Sequence, residues 1–285
     1  MLQCGRSLYG HIAHNVNTIQ ALMKPQTRYP GTQAVTRAIR LLKAFRHGPI
    51  ELSIGELSAA AGLPRSTVYR LLSVLSDEGF VIQDGRSGKY RLGPEFVVLG
   101  GLALQQTDVR QAALPHMRAL AASTGETIDL EILHGLEVLI IEEVAGRHVL
   151  NTGGTVATLW PAHATATGKV LLAYLPADEL DRRLPDKLPA LTSHTITDPD
   201  QLRAELACVR DQGYAIAAEE LEPHLIAIGA PIFDASGQVT AALSISGPRI
   251  RIPPEQVPKL TRQLVTTTAD ISADLGYTYE QHPTR

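Results

Sequence analysis

A basic, hydroxyl-rich run, Arg65, Ser66, Thr67, Tyr69 and Arg70, stands where an apolar helical period resumes after Gly62-Leu63-Pro64. Guanidinium and hydroxyl groups at the start of a helix can reach base edges, and the free N–H groups and dipole there favour a phosphate. Arg86, Lys89 and Arg91 follow on a short strand-patterned stretch and suit phosphate contact. A second constellation lies far along the chain. Thr165 and Thr167 come just ahead of a helical pattern over 168–175, and Ser244 and Ser246 alternate with Ile245, so both serine hydroxyls share one face of a strand. Hydroxyls beside unpaired helix N–H groups could bind a small acid. Thr167 as a helix cap, and serines bonded to backbone, are the plainer roles for the same residues.

Other groupings carry less. Gly168-Lys169 has the ending of a phosphate-binding loop, but His163 stands where the first glycine belongs and Val170 replaces the hydroxyl that would hold magnesium. ATP hydrolysis is therefore not expected. His163 and His224 lack zinc-like spacing and read as hydrogen-bonded loop histidines, with no metal. Glu142-Glu143 and Glu219-Glu220 read as neighbours on strands, one of each pair solvated. No Ser/His/Asp or Cys/His pattern has a nucleophile context, so no catalytic residue, cofactor or enzymatic activity is expected.

The elements that must hold these residues are legible from period and punctuation. Ile54, Leu57 and Ala61, then Val68, Leu71, Leu72 and Leu75, recur at helical spacing and give two amphipathic helices meeting at Gly62-Leu63. Ser53 with Glu56 three residues on forms a capping box, Gly62 can end the first helix in the left-handed conformation, and Pro64 suits the first turn of the second. Phe80-Val81-Ile82, a polar turn over 84–88, then Tyr90 and Leu92 read as a hairpin. A helix-turn-helix followed by a basic hairpin is a winged helix. Ahead of it, Thr32 to Phe45 is an amphipathic helix with Val35, Ala38, Ile39, Leu42 and Phe45 on one face. After it, Gly93 to Leu104 and Val109 to Ala122 read as connecting helical segments whose apolar face would need a partner.

From Thr127 the texture becomes α/β. Strands are expected over 127–133, 136–144, 148–155, 214–218, 225–233 and 239–245, with helices over 168–175, 177–184 and 198–213 and a final one from about Pro254 to Leu275. That order favours an antiparallel sheet with helices beside it. The fold class is α+β.

Charge divides the chain in the same place. Residues 24–100 hold 11 Lys and Arg against 6 Asp and Glu, whereas residues 101–285 hold 14 against 23, although the whole chain is at only −3. A basic module attached to an acidic one would hold nucleic acid by the first and repel it by the second. The two cysteines, Cys4 and Cys208, are too few and too far apart for a disulfide framework or a thiolate metal cluster, which fits a reducing cytoplasm. The first 22 residues have a single basic residue and no uninterrupted apolar core, so they read as an extension rather than a signal peptide, and Met23 could be the true start. No run approaches the length needed to span a membrane.

Several blocks together carry a family resemblance. RAIRLLKAF, IGELSAAAGLPRSTVYRLLSVLSDEGFV and KYRLG in the first half, then PAHATATGKVLLAYLP, GYAIAAEELEP and APIFDASGQVTAALSISGP, in this order, resemble the IclR family of bacterial transcriptional regulators over about Gln33 to Tyr277. The resemblance implies a flexible extension over 1–31, a winged helix-turn-helix DNA-binding domain over 32–93, a helical linker over 94–122 and a GAF-like effector-binding domain over 123–285. It implies a homodimer or dimer of dimers on double-stranded operator DNA, responding to a small-molecule effector such as a carboxylic or aromatic acid. Carried onto matching positions, the effector pocket would take Ala166, Thr167, Ala227, Ser244 and Ser246, with Val149 and Thr152 as a wall. Relatives often have glycine where this chain has His224. An enzyme domain on a DNA anchor, and a constitutive DNA-binding protein whose second domain only oligomerises, remain as alternatives.

Overall fold

The two helices of the expected helix-turn-helix are set by their ends. In the computed structural model, which describes residues 32–46, 49–105, 108–147 and 155–278, Ser53 Oγ accepts from Glu56 N at 3.3 Å and Glu56 Oε2 accepts from Ser53 N at 2.7 Å. This reciprocal capping box starts the second α-helix among the described residues, and Gly62, at φ 62°, ends it. The first three helices are α1 (Gln33–Lys43), α2 (Ile54–Ala61) and α3 (Arg65–Asp77). Pro64 is the residue just before α3 rather than a member of its first turn.

Leu41, Leu57, Ala61, Val68 and Leu72 bury together as the core of this unit, with Val81 and Tyr90 closing it. Val81 and Tyr90 come from a two-stranded antiparallel hairpin, β1 (Val81–Gln83) and β2 (Tyr90–Leu92). Its turn is held by Asp84 Oδ1, which accepts from Arg86 N at 3.0 Å and Ser87 N at 2.6 Å. A bridge between Leu52 and Tyr90 ties the hairpin to the segment before α2. The face expected of α1 is only partly used: Leu41 is buried and Phe45 half-buried, but Val35 and Ile39 are 61% and 49% exposed. The C-terminal half of α1, with Leu41 buried and Leu42 and Phe45 packed beside it, carries the contact with the core. Next comes α4 (Glu95–Gln105), whose Phe96 meets Phe80 edge to face at 5.3 Å.

The chain divides between Gln106 and Thr107 into two compact units. The second begins with α5 (Asp108–Thr124) and continues with β3 (Thr127–His134), β4 (Glu137–Val144), β5 (Leu159–Pro161), α6 (Ala166–Ala173), α7 (Ala177–Arg183), α8 (Pro199–Gln212), β6 (Ala215–Ala218), β7 (Leu225–Phe233), β8 (Val239–Pro248) and α9 (Val257–Asp274). Its strands form one six-stranded sheet in the order β5-β4-β3-β8-β7-β6 with every pair antiparallel. The expected extension over 1–31 and most of the expected strand over 148–155 lie outside the described residues.

Alternation along the strands gives the sheet two chemically different faces. Ile128, Leu130, Leu243, Ile245 and Ile228 are buried on one. The other carries Asp129, Glu131, Ser244 and Ser246 in register, Asp129 facing Ser244 across the β3–β8 ladder. On that second face α6 packs against β7, β8, β3 and β4, with α8 behind it. The approach is close enough to require glycine: a Cβ on Gly229 would stand 2.8 Å from Thr167 N and 2.7 Å from Ala166 C.

Candidate functional site

The polar side chains of α3 stand clear of its core face. Val68 and Leu72 anchor the helix, leaving Arg65, Ser66, Tyr69 and Arg70 exposed and Thr67 half-buried at its outer edge. Tyr69, at 61% exposure, is a large aromatic surface with no apolar partner in this unit's core. The hairpin presents Arg86 and Arg91 exposed and Lys89 half-buried. Within the first unit the fold therefore gathers five polar residues at the beginning of one helix and three cations on one hairpin.

In the second unit, helix α6 starts two residues earlier than its apolar pattern indicated. Thr165, not Thr167, is the cap: its Oγ1 accepts from Gly168 N at 3.1 Å, and its carbonyl accepts from Lys169 N at 2.9 Å. This frees Thr167 for another partner, and its hydroxyl donates to Glu131 Oε2 at 2.5 Å. Between the α6 start and the sheet lies a recess of about 510 Å³, counting its open mouth. Its floor is Asp129, Glu131, Ser244 and Ser246; Ala166, Thr167 and Ala227 form the side next to α6, and Trp160, Ile140, Leu221 and Leu225 supply apolar surface. Ala166, Thr167, Ala227, Ser244 and Ser246 thus meet around one cavity, whereas Val149 and Thr152 lie outside the described residues.

Asp129 and Glu131 were not singled out in the sequence. The signal was present: two acids at i and i+2 in the apolar stretch TIDLEIL must share a face of the strand. They are only 6% and 5% exposed. Ser246 Oγ donates to Asp129 Oδ2 at 3.1 Å, while Asp129 Oδ1 has no hydrogen-bond partner among the described residues. Burial, reinforced by the nearby Glu143 charge and opposed by the two serines, pushes the Asp129 carboxyl up to about 7. Burial, reinforced by Asp129 and opposed by the Thr167 hydroxyl, pushes Glu131 up to about 8.

Beneath the recess, Lys169 is buried to 1% and its ammonium meets three acceptors: Glu205 Oε1 at 3.0 Å, Glu220 Oε1 at 2.8 Å and the Ile216 carbonyl at 2.6 Å. Its three donors are spent inside the protein, which explains the lysine without a nucleotide. Of the Glu219-Glu220 pair, Glu220 is buried and Glu219 lies at the surface, but not by strand alternation as expected. β6 ends at Ala218, and Glu219, at φ 60°, turns the chain so that Glu220 faces Lys169 while Glu219 pairs with Arg249. His163 is buried, with Nε2 2.9 Å from the Pro189 carbonyl oxygen; among the described residues no cluster of three His, Cys, Asp or Glu could hold a metal.

His224 keeps its backbone in the left-handed region at φ 64°, the conformation glycine adopts at least cost. Its side chain is 88% exposed, and Nδ1 is 3.7 Å from Glu219 Oε2, so little contact would be lost on truncation. His224→Gly is expected to stabilise the second unit by about 0.5–1 kcal/mol, since relief of left-handed strain exceeds the entropy that glycine adds to the unfolded chain. Urea unfolding checks this, and a loss of stability would contradict it.

The comparisons bear on both halves of the chain. The family model of the IclR helix-turn-helix domain matches residues 34–85, and that of the bacterial transcriptional regulator IclR C-terminal domain matches residues 101–273. The chain belongs to the IclR family of bacterial transcriptional regulators. It is 33% identical to the HTH-type transcriptional regulator KipR of Bacillus subtilis over 86% of this chain and 98% of KipR. Among solved structures, it superposes on an IclR transcriptional regulator from Silicibacter sp. TM1040 with a TM-score of 0.77 and 31% identity, covering 86% of this chain and 97% of that one. It superposes on an IclR homologue from Microbacterium hydrocarbonoxydans, complexed with 4-hydroxybenzoate, with a TM-score of 0.73 and 30% identity, covering 85% and 99%. As an IclR-family member the chain is a DNA-binding transcriptional regulator with a C-terminal effector domain. No described helix is long and apolar enough to cross a membrane.

Proposed function

We propose that this regulator is cytoplasmic and ligand-responsive, reading operator DNA with α3 and the hairpin of residues 32–93 and binding a small carboxylic or aromatic acid in the recess of residues 123–285. The observation that carries the reading is the recess itself, an open-mouthed hollow at the start of a helix, with apolar walls and a polar floor. The first N–H groups of α6, at Ala166 and Thr167, have no partner within the helix and suit a carboxylate. The 4-hydroxybenzoate complex of the Microbacterium homologue supports an acid of aromatic type.

Arg65, Ser66, Thr67, Tyr69 and Arg70 would lie in the major groove, and Arg86, Lys89 and Arg91 would grip phosphate. A homodimer or dimer of dimers fits the apolar residues that α4, within the connecting segment 94–122, leaves exposed: Val97 at 77%, Val98 at 54% and Leu102 at 50%. Two copies would bring two α3 helices to a partly palindromic operator. Effector and operator must then change each other's affinity by the same factor.

Arg65→Ala tests the assignment of α3. On an operator selected from random duplexes by the full chain, the variant is expected to bind roughly 10-fold or more weakly, as loss of about 1–3 kcal/mol of base or phosphate contact requires. Fluorescence anisotropy across a salt series measures it. Unchanged operator affinity would count against the α3 reading.

A further inference from the structure

The recess contains two buried acids, Asp129 and Glu131, and none of the described residues lining it is Lys, Arg or His. Elsewhere in the same unit two comparably buried carboxylates have a cation: Glu126 with Arg251, and Glu220 with Lys169. Asp129 and Glu131 meet only neutral hydroxyls, Ser246 and Ser244 beside Asp129 and Thr167 on Glu131. Among the described residues Asp129 Oδ1 has no hydrogen-bond partner, inside the recess and 94% buried with the rest of its residue. A ligand that brings a donor to Asp129 Oδ1 satisfies this buried acceptor, and one that brings none leaves it unsatisfied.

We propose that Asp129 and Glu131 make this pocket select effectors that present a hydrogen-bond donor, a hydroxyl or an amino group, to the β3 carboxyls, over otherwise identical molecules lacking it. The inference rests on the reading of the recess as the effector pocket and narrows the ligand class. The N–H groups at the α6 start suit the acid end of the ligand, and the open Oδ1 of Asp129 then takes its donor end. The recess thus offers both donors and acceptors: N–H groups at Ala166 and Thr167, and carboxyl oxygens at Asp129 and Glu131, of which Glu131 already meets the Thr167 hydroxyl. A site built around polar groups rejects an analogue that cannot pair with them far more strongly than an apolar site rejects an added hydroxyl.

The test uses the full chain and two sets of matched acids: benzoate, 4-hydroxybenzoate and 4-aminobenzoate, and hexanoate, 6-hydroxyhexanoate and 6-aminohexanoate. Titration calorimetry gives each Kd for the native chain and for Asp129→Ala and Glu131→Met, with the unfolding transition of Trp160 reporting that each variant is folded. In at least one set, a hydroxyl- or amino-bearing member is expected to bind roughly 10- to 100-fold more tightly than its parent acid. The hydroxyl and amino arms show which donor is preferred, and the preference is expected to fall below about 3-fold in each variant, the discrimination that packing alone would leave. Equal affinity for parent and derivative overturns the proposal while leaving the effector pocket standing. So does a preference that survives in both folded variants. Failure of all six acids to bind overturns the proposal together with the acid-effector reading.

Discussion

Replacing Lys169 with methionine is expected to destabilise the C-terminal unit by about 3–5 kcal/mol, the cost of stranding a buried charge when its partner is removed. The methylenes of methionine nearly fill the space, so the loss isolates the ammonium rather than a cavity. Three groups lose their donor at once: Glu205, Glu220 and the Ile216 carbonyl. Glu220 suffers most. Its side chain is 10% exposed, and burial already holds its carboxyl above the usual carboxylate range with Lys169 beside it. Glu205, at 36% side-chain exposure, can turn to water. Lys169→Met/Glu220→Gln should therefore recover a large part of the loss, because removal of both charges leaves no stranded ion. Trp160, the single tryptophan of the chain, lies in β5 and reports the unfolding of this unit specifically. A loss below about 1 kcal/mol, the ordinary worth of an exposed pair, would place the charge in effective contact with solvent.

The same substitution bears on the recess. Lys169 belongs to the helix whose first residues line it, Glu220 precedes Leu221 on its rim, and Glu205 sits on α8. The ammonium therefore joins the helix, the rim loop and the outer layer at one point. Its loss is expected to loosen ligand binding as well as stability.

The N-terminal unit was legible because its determinants are local. Ser53, Glu56 and Gly62 announce helix ends within a few residues of the groups they satisfy. The error in α1 came from treating one helix alone. Val35 and Ile39 are apolar and helically spaced, but only the C-terminal half of the helix carries the contact with the core. In the C-terminal unit, strand periods located β7 and β8 well, yet the pairing of β3 with β8 depends on residues more than a hundred positions apart, which no local pattern encodes. The cap at Thr165 was missed because α6 is buried from its first residue, so it lacks the polar stripe that marks a helix beginning. Asp129 and Glu131 were passed over for a related reason: alternation in TIDLEIL served to identify a strand, and the face carrying the acids was not asked what would cover it. Glu219-Glu220 followed a β pattern that the left-handed backbone at Glu219 interrupts.

Glu131→Gln is expected to leave stability almost unchanged near pH 5 and to raise it by about 2–4 kcal/mol near pH 8.5, each unit of raised pKa being worth about 1.4 kcal/mol. The sign follows from where the proton is held. Well below the ordinary value of 4.5, folded and unfolded chains both carry it, and burial of the neutral acid costs nothing on this account. As pH rises from 4.5 to about 8, the unfolded chain releases the proton while the folded chain keeps it, so the folded state loses stability progressively. Above about 8 the carboxyl ionises inside the recess and the loss is complete. Glutamine does not titrate, and its Oε1 can still accept from Thr167 Oγ1, so the variant escapes the penalty without forfeiting that hydrogen bond. Asp129 gives the same sign over a lower window, from 3.8 to about 7, and Asp129→Asn should show its gain at correspondingly lower pH. Urea unfolding of native chain and variant at several pH values measures the divergence. Parallel stability curves from pH 5 to 8.5 would mean that water or a cation reaches Glu131 in the folded protein, and the uncompensated acid floor of the recess would have to be abandoned.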